Sequence, residues 1–264
     1  MPPPQHSKGP NPKDTFITVY GRKPVLEALR DPSLTVDKIV VADGARGHSL
    51  EEILGAAAEG SVTVQRASAH RVKVLAGNGR QDQGVLADVV ARRMRPLDTE
   101  LAARRGARSA GLLVLDRVTN PANVGMILRT ATAAGLDGVV LPRRGVPAID
   151  PLVIKASAGV AFHAPVLRTA TAQLGCSQLA GAGFAVLGLS STAPGAVSLY
   201  RAPPPPRVAY VLGNETAGLS DEVRRELTGW VSIPMAGGVE SLNVASAAAV
   251  VCFEWARRQR LSVR

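Results

Sequence analysis

Three polar, glycine-containing segments in the second half of the chain have residue types that could hold a ligand and carry out chemistry. They cover residues 120–125, 213–218 and 234–243, and each comes after a short apolar run of strand type. In parallel sheets, ligands bind beyond the carboxyl ends of the strands, where loops expose backbone N–H and C=O groups. None of the segments matches Gly-x-Gly-x-x-Gly, and residues 213–220 lack the lysine of a Walker loop. The pattern therefore argues against a common dinucleotide or nucleoside triphosphate site.

The elements that must position these segments form a predicted α/β domain over residues 111–264. Its apolar runs lack two-residue alternation, which is typical of a parallel sheet covered on both faces. The predicted strands are residues 112–115, 138–141, 184–189, 207–212 and 231–234. Helical spacing predicts one helix at 124–134, which Gly135 can end, and a long final helix at about 242–258.

The rest of the chain divides into three predicted parts. Residues 1–15 are rich in Pro, Lys and Gly and are expected to be a disordered arm. Residues 16–91 alternate strand-type and helix-type runs, which favours a small α/β domain. Residues 92–110 carry arginines and alanines without a strand pattern, and we expect an exposed linker with some helical character.

The charge of the chain points to a polyanionic partner. The 264 residues carry a net charge of +10, and the sequence pI is about 10.4. Residues 92–110 and 257–264 each contribute +4 of that excess. We expect these arginine-rich stretches to be flexible and to supply the salt-dependent part of the affinity. The alternative is that they only keep the chain in solution.

Composition and cysteine usage exclude several classes of protein. Hydrophobic residues make up 46% and charged residues 20%, as in a folded chain, whereas the 3% of aromatic residues disfavours a surface of stacked rings. The first residues lack the apolar core of a signal peptide, and no apolar run reaches the roughly 18 residues of a membrane span. Cys176 and Cys252 are predicted to be buried, inert thiols in a reducing cytoplasm. No His or Cys cluster has metal-ligand spacing, so no metal is expected.

Taken together, the three polar segments resemble a known enzyme family. The runs NPANVGMILRTATAAG (120–135), YVLGNETAGLS (210–220) and SIPMAGGVESLNVASAAAVVCFEW (232–255) are similar, in order, to the three motifs of the SpoU or TrmH-type RNA ribose methyltransferases. Residues 16–91, which end in GRQDQGVLADV, resemble the L30e-like substrate-binding domain of many members. The resemblance implies an α/β, parallel-sheet trefoil-knot (SPOUT) methyltransferase domain. It also implies methyl transfer from S-adenosylmethionine to a ribose 2′-hydroxyl of RNA.

The resemblance also implies which residues do the chemistry. Arg129 matches the catalytic arginine of the family, and its high pKa favours phosphate clamping and charge stabilisation over a role as base. Asn123 is expected to orient Arg129 or the ribose. Glu215 and Asn243 match the polar residues of the second and third motifs and are expected to hold the arginine and the loops. Asn120 precedes Pro121 where many relatives have aspartate.

Binding residues are implied in the same way. The expected S-adenosylmethionine site comprises Gly213, Ile233, Leu242, Leu189, Ser190, Gly218, Met235 and Gly237. The expected RNA contacts are Arg22, Arg143, Arg144, Lys155 and Ser157, for which a solvated loop is the alternative. Members of the family work as homodimers through the knot region and the last helix, and the apolar 242–256 segment fits such an interface.

Three functions remain open at this point. The first is 2′-O-methylation of 23S ribosomal RNA, which the L30e-like domain favours. The second is methylation of tRNA by a member of the same family. The third is a non-catalytic RNA- or ribosome-binding module, although such a module need not retain Arg129, Asn123, Glu215 and Asn243.

Overall fold

The computed structural model describes residues 14–77, 82–201 and 204–262. The chain forms two compact units, Met1–Arg92 and Arg93–Arg264. Of the arm expected at residues 1–15, residues 1–13 lie outside the described residues. Asp14 and Thr15 differ from that expectation, because Asp14 is buried and the carbonyl of Thr15 accepts a hydrogen bond from the backbone N–H of Ala91 at 2.9 Å.

The first unit is a small α/β layer around a four-stranded mixed sheet. Its elements are β1 (Phe16–Tyr20), α1 (Arg22–Arg30), β2 (Val36–Ala42), α2 (His48–Glu59), β3 (Thr63–Ala67), α3 (Ala69–Ala76) and β4 (Val85–Val90). The strand order is β1-β4-β2-β3, with β4 antiparallel to both neighbours and β2 parallel to β3. Val40, Val72 and Leu86 belong to one buried cluster that joins the sheet to α3.

The second unit is built on an eight-stranded sheet in which every pairing is parallel. Its strands are β5 (Arg95–Pro96), β6 (Ala110–Leu115), β7 (Gly138–Pro142), β8 (Val166–Thr169), β9 (Ala185–Leu189), β10 (Val197–Ser198), β11 (Arg207–Leu212) and β12 (Gly229–Ser232). Its helices are α4 (Leu97–Ala103), α5 (Pro121–Ala134), α6 (Pro151–Ala156), α7 (Ala172–Gly181), α8 (Asp221–Arg224) and α9 (Val244–Ser262). The strand order is β10-β12-β9-β11-β6-β7-β8-β5. All residues of β6 and β7 are buried, which accounts for their unbroken apolar sequence.

Local sequence explains the bounds of the helix that carries the first motif. The side chain of Asn120 accepts a hydrogen bond from the backbone N–H of Ala122 at 2.9 Å, and Pro121 occupies the first turn, so α5 begins three residues before the predicted start. Gly135 ends it in the left-handed region with φ +75°, as predicted. The final helix begins at Val244, two residues after the predicted start, because Asn243 caps it through Ala245 N–H at 2.9 Å.

The segment 92–110 differs from the exposed linker expected from the sequence. Within it, β5 pairs with β8, and Leu97 on α4 belongs to the main core of the second unit. The Arg104 guanidinium donates hydrogen bonds to Glu100 and Asp137. A two-residue strand has no periodicity to detect, and ion-paired arginines have the same sequence signal as solvated ones.

The C-terminal arginines that the structure describes are likewise part of a folded element. Arg257 forms a bidentate pair with the carboxylate of Glu254, with both N–O distances at 2.8 Å. Arg258 bonds to the same carboxylate and donates to the backbone carbonyls of Leu199 and Tyr200. The hydrogen bond from Arg257 is the largest influence that lowers the pKa of Glu254. Arg257 and Arg258 therefore belong to α9 and not to a flexible tail.

The two cysteines are buried and unpaired, as predicted. Burial raises the pKa of Cys176 and of Cys252 to about 12, which keeps both thiols protonated and unreactive. Among the described residues, no helix combines the length and the apolarity that crossing a membrane requires.

The close approach of α5 to α6 gives a test of the packing. A Cβ added at Gly125 would lie 2.5 Å from the carbonyl oxygen of Val153 and 2.7 Å from the Cβ of Ala156. We expect Gly125→Ala to lower the free energy of unfolding by about 1–3 kcal/mol, because overpacking forces the helices apart. Urea and thermal unfolding of the full chain measure this change.

The matched control is Gly181→Ala, at the last residue of α7, where an added Cβ meets no atom within 4 Å. Intrinsic helix propensity favours alanine at both positions, so only the steric contact differs. We expect the control to change stability by less than about 0.5 kcal/mol. A Gly125→Ala variant as stable as the parent would contradict the packing argument.

Candidate active site

A pocket lies at the carboxyl ends of the neighbouring strands β12, β9 and β11, where parallel sheets place their ligand sites. Its walls come from the loops that follow these strands and from the start of α9. The lining residues are Leu189, Ser190, Ser191, Leu212, Gly213, Asn214, Glu215, Gly218, Leu219, Ile233, Met235, Glu240, Ser241, Leu242, Val244 and Ala247.

The structure brings together most of the residues predicted to bind S-adenosylmethionine. Seven of them line the pocket: Gly213, Ile233, Leu242, Leu189, Ser190, Gly218 and Met235. Gly237 does not line it, because it lies in the exposed turn of the third motif with φ +67°. That position requires a residue that tolerates the left-handed region, so the glycine shapes the loop instead of touching the pocket.

Sequence reasoning missed several lining residues that connect the motifs. The Ser191 hydroxyl donates to the backbone carbonyl of Glu240 at 2.7 Å, which ties the loop after β9 to the third motif. Asn214 accepts hydrogen bonds from the backbone N–H groups of Thr216 and Ala217, both at 3.0 Å. A polar residue two positions after a predicted strand was the available signal for Asn214, and the sequence offers no comparable signal for Ser191.

The loop of the second motif closes tightly on itself. Asn214 and Gly218 exchange backbone hydrogen bonds of 3.1 and 2.9 Å. A Cβ at Gly213 would lie 2.5 Å from the carbonyl carbon of Gly218, so only glycine fits where the loop leaves β11. The closed loop presents Glu215 to the pocket.

The three polar residues expected to be catalytic partners form a hydrogen-bonded chain. Asn123, on α5, donates from Nδ2 to Oε1 of Glu215. Its Oδ1 accepts from Nδ2 of Asn243 at 3.2 Å, while Oδ1 of Asn243 caps α9. Asn123 is only 4% exposed, so both of its polar atoms find partners inside the protein. The chain joins all three motifs at one point.

Arg129 lies apart from this chain. It is exposed and does not line the pocket. It follows Asn123 by six residues on α5, which separates the two side chains by about 120° around the helix axis. The expectation that Asn123, Glu215 and Asn243 hold Arg129 is therefore corrected, since they bond to one another.

The expected RNA contacts fall into three groups. Arg143, Arg144 and Lys155 are exposed, in or beyond the loop after β7. Ser157 is a correction, because it is fully buried, with its hydroxyl donating to Ile154 O at 2.8 Å and accepting from Ala161 N–H at 3.1 Å. Arg22 is engaged within the first unit, where its guanidinium donates to Ser49 Oγ and to the carbonyl of Arg46.

The pocket suits a ligand that has a net positive charge and a sizeable apolar or flat surface. Its only ionisable lining side chains among the described residues are the carboxylates Glu215 and Glu240, and leucine, isoleucine and valine side chains form much of the wall. S-adenosylmethionine carries a sulfonium, an ammonium and one carboxylate, so its net charge is positive, and its adenine is flat. The two carboxylates, the apolar wall and the polar Ser190, Ser191 and Asn214 of the pocket therefore fit it. Within residues 14–77, 82–201 and 204–262, no group of three or more His, Cys, Asp or Glu side chains is placed to hold a metal ion.

Comparison with known families matches both units. Residues 111–253 match the SpoU rRNA methylase family. Residues 18–94 match the family described as RNA 2′-O ribose methyltransferase substrate binding.

Individual proteins agree with these matches. An uncharacterized tRNA/rRNA methyltransferase of Mycolicibacterium vanbaalenii is 36% identical over 94% of this chain and 78% of its own length. A putative TrmH family tRNA/rRNA methyltransferase of Staphylococcus haemolyticus is 31% identical over 92% of this chain and 96% of its own. The crystal structure of an AdoMet-bound rRNA methyltransferase from Sinorhizobium meliloti superposes with a TM-score of 0.61 at 25% identity, covering 93% of this chain and 88% of that one. The α/β parallel-sheet methyltransferase fold predicted from the sequence is confirmed.

The two hydrogen-bonding roles of Asn243 can be separated by substitution. Asn243→Ala removes both the cap of α9 and the donor to Asn123, whereas Asn243→Asp retains a cap acceptor but has no N–H to donate. We expect Asn243→Asp to lower stability by about 1–3 kcal/mol, because the buried Asn123 carbonyl loses its donor. Asn243→Ala should lower it by about 1 kcal/mol more, because the cap of α9 is lost as well. Both should slow methyl transfer at least about tenfold, because the buried Asn123 carbonyl loses its partner. Thermal midpoints and transfer rates check the two effects.

Asn120→Asp is the matched control for this substitution. Asn120 is exposed, caps α5 through its side-chain oxygen, and undergoes the same chemical change outside the hydrogen-bonded chain. It should retain both stability and activity. Full activity in Asn243→Asp would show that the bond to Asn123 has no role in the reaction.

Proposed function

Because the chain belongs to the SpoU family of S-adenosylmethionine-dependent RNA 2′-O-methyltransferases, we propose that it methylates a ribose of 23S ribosomal RNA. The enzyme transfers a methyl group to a ribose 2′-hydroxyl of rRNA or tRNA. The narrower choice of 23S RNA is supported by the first unit, which matches the substrate-binding family and resembles an L30e-like ribosomal protein domain. An RNA substrate and two unpaired cysteines also support a cytoplasmic location.

A tRNA substrate is the second candidate. The Mycolicibacterium and Staphylococcus relatives carry names that include both tRNA and rRNA, which supports keeping this alternative. The non-catalytic alternative does not apply, since the family match covers the catalytic domain and the polar residues of all three motifs are present.

The residues of the pocket supply binding and orientation. When bound, S-adenosylmethionine supplies an electrophilic methyl group on a sulfonium centre. Glu215 and Glu240 give the pocket negative charge that favours a cationic ligand. Asn123 fixes Glu215 through a hydrogen bond and is itself fixed by Asn243, so the carboxylate keeps one orientation. Such positioning lowers the barrier to a displacement in line with the leaving group.

We assign Arg129 to the RNA and not to the cofactor. Its side chain is exposed on α5 and does not line the pocket, which supports contact with a phosphate or with the negative charge that develops on the 2′-oxygen. Arg143, Arg144 and Lys155 extend the same function to the loop and helix after β7. Arg105 and Arg108 are exposed and remain candidates for salt-dependent contacts, whereas Arg104, Arg257 and Arg258 are ion-paired.

The assay for this proposal uses labelled S-adenosylmethionine with separate 23S rRNA and tRNA pools, followed by mapping of alkali-resistant linkages. We expect transfer to 23S rRNA. Arg129→Ala should abolish transfer while leaving cofactor affinity within a few fold. Arg129→Lys should retain a small fraction of the rate, because lysine keeps the positive charge but lacks the planar guanidinium with its paired N–H donors. Transfer to the tRNA pool alone would contradict the rRNA proposal. A large loss of cofactor binding in Arg129→Ala would contradict the role assigned to Arg129.

We also infer a homodimer formed through α5 and α9. These helices pack against each other and expose Met126 and Phe253, which are 41% and 53% exposed. Large apolar side chains at a surface are typical of subunit interfaces. Phe253→Asp is therefore expected to yield monomers in sedimentation experiments, while the parent chain sediments as a dimer. Leu174→Asp, at an apolar residue of α7 that is 43% exposed, is the control and should remain dimeric. A dimeric Phe253→Asp variant would contradict this interface.

A further inference from the structure

Arg117 has an unusual backbone conformation at the edge of the sheet that carries the pocket. It follows β6 by two residues and has φ +56°, in the left-handed region that favours glycine. A long, charged side chain is seldom found there. Such conformations persist where the surrounding structure enforces them, and they cluster at functional sites.

Three hydrogen bonds explain how the backbone at this point is held. The Asp116 carboxylate accepts from the backbone N–H of Ser220 at 2.6 Å, and the carbonyl of Arg117 accepts from Nδ2 of Asn214 at 3.1 Å. The backbone N–H of Asp116 also donates to Leu212 O at 2.9 Å. The turn is therefore bound to the loop of the second motif, which forms one wall of the pocket.

The side chain of Arg117 stands between the pocket and the basic loop after β7. The strand order β11-β6-β7 places the loop of the second motif, Arg117 and residues 143–145 side by side along one edge. A Cβ on Gly145 would lie 3.5 Å from Cγ of Arg117, so the two turns are in contact. Arg143 and Arg144 lie in the same turn as Gly145.

The guanidinium of Arg117 is available to a ligand. The side chain is 44% exposed, and Nε lies 4.0 Å from Oδ1 of the buried Asp116. Among the described residues it donates no side-chain hydrogen bond, so its planar set of N–H groups faces no internal acceptor within bonding distance. Arginine in this state is suited to bidentate recognition of a phosphate.

We propose that Arg117 binds a phosphate of the RNA strand close to the ribose that is methylated, an inference that rests on the proposed function. The strained backbone is retained because it holds the guanidinium at the pocket edge, between the cofactor loop and Arg144. Arg117 then fixes the strand whose 2′-hydroxyl must enter the pocket. This role differs from that of Arg129, which lies on the exposed side of α5.

The conformation of Arg117 provides a test that separates binding from folding. Glycine, and to a lesser extent asparagine, tolerates a positive φ, so Arg117→Gly and Arg117→Asn should leave the thermal midpoint unchanged or higher. Both variants should bind RNA about tenfold more weakly. The slope of log affinity against log salt concentration should decrease by about one. S-adenosylmethionine should bind with unchanged affinity, since Arg117 does not line the pocket.

Ser61→Gly is the matched control, because Ser61 has φ +54° on an exposed turn of the first unit. It should show the same relief of backbone strain with no change in RNA affinity or in salt slope. Binding is measured with a 23S rRNA transcript and with a tRNA pool.

The outcomes distinguish this inference from the proposed function. If the parent chain binds and methylates only tRNA, the rRNA proposal fails, and the variants are judged on tRNA. Parent-like affinity and salt slope in Arg117→Gly, on whichever RNA the parent binds, would overturn the role of Arg117. A lower thermal midpoint in both variants, together with weaker RNA binding, would show a structural role and overturn it as well.

Discussion

The active site depends on one buried hydrogen-bonded chain, in which Asn123 donates to Glu215 and accepts from Asn243. These residues are separated by 92 and 120 positions in sequence, and each belongs to a different motif. An amide is the side chain that can donate at one end and accept at the other. Because Asn123 is buried, any change that removes one partner leaves a polar atom without hydrogen bonds and costs about 1–3 kcal/mol. The site is therefore assembled as a unit.

Because the sheet is parallel, the order of its strands sets the order of the functional loops along one edge. The pocket occupies the carboxyl ends of β12, β9 and β11, the strained turn at Arg117 follows β6, and the basic loop follows β7. Ionisable side chains in the pocket are acidic, whereas Arg143 and Arg144 make the first part of the loop after β7 basic. A cationic cofactor and an anionic RNA strand would thus find complementary charge at adjacent positions. The opposite charges also disfavour binding of either ligand at the position of the other.

The sequence alone predicted the features that follow from general rules of secondary structure. Apolar runs without alternation predicted the parallel strands of the second unit, and Gly135 predicted the end of α5. Motif resemblance predicted the residues around the pocket, although it also included Gly237, which shapes a turn instead. It could not predict that Ser157 is buried, because its hydroxyl finds partners within its own turn. Nor could the sequence identify Arg117, because the feature that distinguishes this residue is its positive φ angle.

The distribution of arginine shows why net charge alone does not indicate which arginines can contact RNA. Arg117 only approaches a carboxylate, with its Nε 4.0 Å from Oδ1 of Asp116 and no side-chain hydrogen bond among the described residues. Arg104, Arg257 and Arg258, by contrast, each donate hydrogen bonds to a carboxylate. At distances near the Debye length of about 8 Å, such a pair acts as a weak dipole and attracts a phosphate far less than a lone cation does. Arg105, Arg108, Arg129 and Arg144 are exposed and form no ion pair among the described residues. The arginines that can attract RNA are therefore identified by their partners in the fold and not by the segments in which arginine is dense.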